Sequence, residues 1–314
     1  MKTDHPNPTE AERRTTQQDS STPAHLVSLL AVLIFSVNYV VGRGAYEVAP
    51  PFMLGFTRWA GAAVLLAPFA MRDMRADWTR IAENWQKIAA CALFMPFIGA
   101  GLAYTALTMT VAINIAVVQT ALPVFTVLLS WVFLKDRLTK FRTVGLCGAI
   151  VGVMCIISRG DPGILASLRF NLGDLIMLFC NLGLAGYAVL LTRLPPIRPL
   201  AFLLSICVLG AAYHIPFLAM ELAVGKVLQP TPLSLASLAF VAVFPSIVAI
   251  LSWNYAIARL GPTTSGIYFY LVPVFTAALA YLFLGEAVAW YHYVGGAVII
   301  ASVWLAGRGG TNSR

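Results

Sequence analysis

The chain has 314 residues, 59% of them hydrophobic and 11% charged, with a formal net charge of +8. Soluble domains carry about 25% charge, so this composition excludes one and identifies an integral membrane protein. The positive charge does not mark a nucleic-acid binder, because its placement along the chain follows membrane topology.

Residues 1–23 are polar, with Pro6, Pro8 and Pro23, and read as a disordered tail; 306–314 form a second short tail. Between them ten apolar segments reach the roughly 17 to 25 residues that a crossing needs, at 24–42, 51–71, 88–109, 111–134, 141–158, 172–191, 200–220, 235–257, 263–284 and 288–305. The two shortest, 141–158 and 288–305, fit if steep or flanked by snorkelling side chains. Their runs are continuous rather than alternating, which excludes a β-barrel. A cleaved signal peptide is not expected, because the run from Leu26 is long and ends in Gly42-Arg43 without a small-residue cleavage site.

Segment one carries Asn38 and Tyr39, followed by Arg43 and Glu47, and segment two holds Arg58, the one unambiguous charge inside a span. A buried Arg needs partners, so Glu47 or a helix carbonyl end is expected beside it, and its role is a structural clamp or an anchor for a carboxylate. In the next loop Trp78, Ile81, Trp85 and Ile88 share one face of an amphipathic interfacial helix. Segment three brings Tyr104, and segment four brings Asn114 and Gln119 ahead of Pro123. Gly145, Gly148 and Gly152 of segment five form a small-residue face, read first as packing within the chain and second as a homodimer contact. Segment six holds Asp174, Asn181 and Tyr187; segment seven holds His214, either an interhelical hydrogen-bond group or a proton carrier. Trp253 and Asn254 follow in segment eight, and Tyr268 and Tyr270 precede Pro273 in segment nine. The five cysteines lie in apolar segments without CxxC spacing and read as small buried thiols, so neither a disulfide nor a metal site is expected.

The chain repeats itself. Ala121–Arg137 (ALPVFTVLLSWVFLKDR) returns at Leu271–Ala287 (LVPVFTAALAYLFLGEA), and a constant offset joins 106–153 to 256–303, pairing Val144-Gly145 with Val294-Gly295 and Asp136 with Glu286. Prolines extend the match, Pro68 to Pro216 and Pro96 to Pro245, and each is expected to kink its helix. With the amino terminus in the cytoplasm, sixteen Lys and Arg fall on that side and only Arg43, Arg159, Arg169 and Lys226 on the other. That bias puts both termini in the cytoplasm of a cell whose inner or plasma membrane the chain crosses ten times. Five spans per half then insert the halves in opposite directions. Inverted repeats are a transporter architecture.

Intramembrane enzymes are disfavoured: Asp174 has no deep acidic partner for an aspartyl protease, and no Gly-x-Ser-Gly serine site is present. No GxxxxGK[ST] loop binds ATP, and no cofactor is expected. The expected architecture is therefore an all-α membrane protein of ten transmembrane helices, as two five-helix repeats over 24–158 and 172–305.

Ten spans in two inverted halves, a proline in the fourth span of each, then Phe-Leu-x-[Asp/Glu] and Val-Gly, resemble the EamA-like members of the drug/metabolite transporter superfamily. The resemblance implies a secondary transporter, often an exporter of amino acids or related metabolites, with a cavity between the halves lined by segments one, three, four, six, eight and nine. On this chain it selects Asn38, Tyr39, Tyr104, Asn114, Gln119, Asn181, Tyr187, Trp253, Asn254, Tyr268 and Tyr270 as solute contacts; Arg58 joins the candidate binding residues on its own position in a span, not through the resemblance. Amides and aromatics with one deep base favour a neutral or zwitterionic solute; a phosphorylated-sugar or nucleotide-sugar exchanger, the first alternative, would need more bases. A non-transporting receptor or scaffold is the alternative of another class, and gives no reason for paired repeats. Rocking of the halves about hinges at Pro123 and Pro273 is the expected mechanism.

Overall fold

The computed structural model describes residues 22–38, 50–110, 118–136, 139–167, 169, 171–228, 231–284 and 289–308. Among them every element is helical, as a bilayer requires of a segment that must satisfy its own backbone groups. In the first copy these are α1 (Thr22–Asn38), α2 (Pro51–Ala76), α3 (Trp78–Glu83), α4 (Trp85–Ala92), a π-helical stretch Leu93–Gly101, α5 (Leu102–Met109), α6 (Ala121–Leu129), a second π-helical stretch Ser130–Leu134, and α7 (Lys140–Ile157). A short α8 (Pro162–Ala166) leads to the second copy. It contains α9 (Leu172–Leu191), α10 (Pro199–Ala223), α11 (Pro232–Val243), a π-helical stretch Phe244–Val248, α12 (Ala249–Ile267), a 3-10 turn Tyr268–Leu271, α13 (Val272–Leu284) and α14 (Trp290–Arg308).

Among the described residues, six runs are long and apolar enough to cross a membrane: Pro51–Ala76, Trp85–Met109, Lys140–Ile157, Leu172–Leu191, Pro199–Ala223 and Ser234–Thr276. Thr22–Asn38, Ala121–Leu134 and Trp290–Ala306 are shorter apolar helices. The 43-residue run Ser234–Thr276 is one helix only by hydrogen bonding. Gly261, at φ 81° and ψ 162°, breaks it between the expected eighth and ninth segments, in a region of conformational space that side chains with a Cβ avoid.

The prolines keep their pairing but only one pair sits mid-α-helix. Pro68 and Pro216 lie within α2 and α10. Pro96 and Pro245 both fall in π-helical stretches, where the ladder shifts by one residue to absorb the missing donor. Pro123 stands third in α6, in a first turn where no intrahelical donor is required, and Pro273 stands second in α13, directly after the 3-10 turn Tyr268–Leu271 and within the continuous run Ser234–Thr276.

The expected amphipathic helix is two helices, α3 and α4, divided at Asn84. Its face also divides: Ile81 and Ile88 are buried in the chain, whereas Trp78 and Trp85 are each 62% exposed, which suits aromatic rings at a lipid boundary. α2 packs along α10 and α7 along α14. The glycine face of α7 is taken up inside the chain, since a Cβ on Gly145 would stand 2.6 Å from the Ser302 carbonyl and one on Gly152 2.8 Å from the Gly295 carbonyl.

Candidate functional site

Arg58 is 3% exposed and bridges the two copies. Its Nε donates to Ser246 Oγ at 2.7 Å, Nη1 to Tyr104 Oη at 2.9 Å and Nη2 to the Pro245 carbonyl at 3.4 Å, while the guanidinium lies 4.9 Å from the Trp59 ring centroid. The local chemistry at Ser246 follows from its neighbour. Pro245 has no N–H for the Val241 carbonyl four residues back, and Ser246 Oγ donates to that carbonyl at 2.6 Å in its place. The same hydroxyl then accepts from Arg58. Among the described residues no carboxylate pairs with Arg58; Glu47, the acid expected beside it, lies outside them.

Two helical turns along the same helix, Trp253 forms the centre of an aromatic cluster. Its ring meets Tyr187 at 5.9 Å, Phe269 at 5.1 Å and Phe35 at 6.3 Å between centroids, and Phe35 stacks on Phe269 at 5.6 Å. Aromatic pairs at such separations favour offset-stacked, tilted and edge-on geometries, and all three occur here. Tyr187 Oη donates to Asn254 Oδ1 at 2.7 Å. Trp253 is 1% exposed and its Nε1 has no hydrogen-bond partner. Tyr268 Oη bonds His25 Nδ1 at 2.5 Å.

A third group holds the turn that leads into α6. Asn181 Nδ2 donates to the Val118 carbonyl at 2.8 Å and Tyr270 Oη to the Thr120 carbonyl at 3.3 Å, with half-buried Gln119 between those two acceptors in sequence. Asn181 Oδ1 is buried and unpartnered, as is Asn38 Oδ1 in α1. Buried polar atoms without partners are costly, so atoms of this kind mark where a polar solute could gain most from binding. Tyr39 and Asn114 lie outside the described residues.

His214 stands apart from the expected contacts. Its Nδ1 bonds the Gly210 carbonyl at 2.7 Å, which requires the proton on Nδ1, and its Nε2 is unpartnered. The ring fits because Gly55 and Gly101 face it: a Cβ on either would come within 2.4 Å of Nε2.

Of the expected contacts, Tyr104 belongs with Arg58, Tyr187, Trp253 and Asn254 with the aromatic cluster, and Asn181, Gln119 and Tyr270 with the α6 turn. Ser246, Phe35, Phe269 and His25 join them without having been singled out. Ser246 carried a usable signal, a hydroxyl directly after an in-span proline.

The profile of the EamA-like transporter family matches this chain twice, over residues 22–158 and 171–308. The chain belongs to that family. Its EamA-like relatives include an uncharacterized transporter of Archaeoglobus fulgidus, 26% identical over 90% of this chain and 96% of its own. Another is the uncharacterized inner membrane transporter YedA of Escherichia coli, 26% identical over 88% of each chain. A Streptantibioticus cattleyicolor protein named "Probable terminal-alkyne amino-acid exporter" is 30% identical over 59% of this chain and 61% of its own. One crystal structure of a protein superimposes with a TM-score of 0.71 over 90% of this EamA-like chain and 96% of the other at 16% identity, a likeness of fold. A multi-pass membrane transporter is therefore what the family and the apolar helices together establish.

Proposed function

We propose that this chain is a secondary transporter of a small neutral or zwitterionic metabolite of the amino-acid class, exported by alternating access between two inverted five-helix repeats. Ten spans, both termini in the cytoplasm and an inner or plasma membrane location complete the reading, on the strength of the sixteen-to-four charge bias. The observation that carries the solute class is Arg58: a buried guanidinium at the junction of the copies, held by hydroxyls, a carbonyl and a ring rather than by a carboxylate among the described residues. A solute carboxylate would supply the missing charge.

Ser246 and Trp253 are seven residues apart along one helical run, so the two sites lie about 10 Å apart along its axis, the reach of an amino acid with a large side chain. An amino acid with its carboxylate at Arg58 would direct its side chain toward Trp253, Phe269 and Tyr187. The similarity to a relative named as an amino-acid exporter agrees with this class.

Counterflow in proteoliposomes tests it. Vesicles loaded with unlabelled L-phenylalanine or L-leucine are expected to accumulate the labelled compound with wild type, to fail with Arg58→Gln, and to lose preference for the aromatic solute with Trp253→Ala. Accumulation that Arg58→Gln leaves intact would reduce Arg58 to a clamp between helices.

A further inference from the structure

Two short helices, one from each copy, cross beside the aromatic cluster, and each is bounded by breaks. α6 begins with Pro123 in its first turn and passes into the π-helical stretch Ser130–Leu134. The last part of α12, residues 262–267, follows the non-helical Gly261 and ends at the 3-10 turn Tyr268–Leu271. At the crossing Gly266 lies against Thr126, where an added Cβ would stand 3.2 Å from the Thr126 Cβ.

Beyond the crossing, an acid and a base of the first copy hold two consecutive hydroxyls of the second. Arg142, 5% exposed, donates from Nη1 to both Asp136 oxygens at 3.2 Å and from Nη2 to Thr264 Oγ1 at 3.2 Å. Thr263 Oγ1 donates to Asp136 Oδ2 at 3.1 Å. The opposite end of the same segment enters the candidate site, with Phe269 against Trp253 and Tyr270 on the Thr120 carbonyl.

We propose that Asp136, Arg142, Thr263 and Thr264 form the gate at this end of the transport path, and that residues 262–271 link it to the aromatic cluster. The inference rests on the alternating-access reading above. Three features suit a contact that opens and closes rather than a permanent staple. The cross-copy partners are neutral hydroxyls, so release leaves no unpaired charge: Asp136 and Arg142 keep each other. Asp136 is 29% exposed, so water can take over the bonds that the threonines give up. Gly261, at a positive φ of 81°, leaves the segment free to swing on a residue without a Cβ. Movement of Phe269 against a bound solute would therefore be felt at Thr263 and Thr264.

Alkylation of a cysteine beside the clasp tests the gate without any solute. Ser265 is fully buried and its hydroxyl is unpartnered, so Ser265→Cys removes no bond; Cys207, also fully buried but in the core on α10, serves as the internal standard. In nanodiscs, with the other native cysteines replaced, N-ethylmaleimide should modify the thiol placed at 265 slowly. Asp136→Asn is expected to speed that modification about tenfold, and Thr264→Val, which removes the hydroxyl at nearly constant volume, about threefold, with Cys207 unchanged. Equal rates at 265 in wild type and both variants would overturn the gate. Parallel acceleration of Cys207 would overturn it too, by showing that the clasp holds the whole fold. The rate is read without solute, so a failed gate and a failed choice of solute are told apart.

Discussion

The starts of α7 and α14 occupy equivalent places in the two copies and have taken opposite uses. In α7, Thr139 caps the helix by accepting from the Arg142 backbone N–H at 3.3 Å, which leaves the Arg142 side chain free to reach Asp136 and Thr264. The same offset puts Ala289 where Thr139 stands and His292 where Arg142 stands. Ala289 has no hydroxyl, and its N–H donates to His292 Nδ1 at 3.1 Å, so the imidazole is turned back onto its own helix start. One backbone position is a link between copies in the first and a local cap in the second. Duplicated helices thus keep their packing while their ends specialise, here with both the capping residue and the base exchanged.

The largest way to break this contrast acts from the far side of the clasp. Gly261→Ala would force a Cβ into φ 81° and ψ 162°, at a cost of about 2 to 3 kcal/mol, and displace Thr263 and Thr264 from Asp136. A lower unfolding midpoint, followed by tryptophan fluorescence in detergent, is the expected result. Arg142→His makes the first copy resemble the second; the shorter ring cannot span Asp136 and Thr264 together, and about 1 to 2 kcal/mol of coupling should vanish in a double-mutant cycle with Thr264→Val. The smallest effects come from exchanging caps. Thr139→Ala should lower stability by about 1 kcal/mol, while Ala289→Thr should raise it by a few tenths, on the order of 0.5 kcal/mol, by freeing His292 from cap duty. Equal and like-signed changes at the two positions would show that the caps are not what separates the copies.

The repeat and the apolar segments were legible in the sequence because length, offset and proline spacing are properties of the chain itself. Arg58 stood out for the same reason, as a lone charge in an apolar run. Its pairing with Tyr104 and Ser246 did not: Ser246 is 188 positions away, and no local period shows which hydroxyl will meet a guanidinium. Phe35 and Phe269 were equally hidden, since aromatic rings are common in membrane helices and only packing distinguishes a cluster from a lipid contact. The prolines were visible but their effect was not. Whether a ring bends a helix, shifts its ladder or begins it depends on what lies in the preceding turn, as Pro68, Pro96 and Pro123 show in turn.

The π-helical stretch around Pro245 acts as a phase setter for everything beyond it. One residue is worth about 100° around a helix, so absorbing an extra residue at Phe244–Val248 rotates the following turns by that angle relative to an unbroken α-helix. Replacing Pro245 and Ser246 together with leucine and alanine would let the ladder close normally and would wind that angle back out. Trp253 and Asn254 would then point away from Tyr187, with no residue of the aromatic cluster itself having been changed.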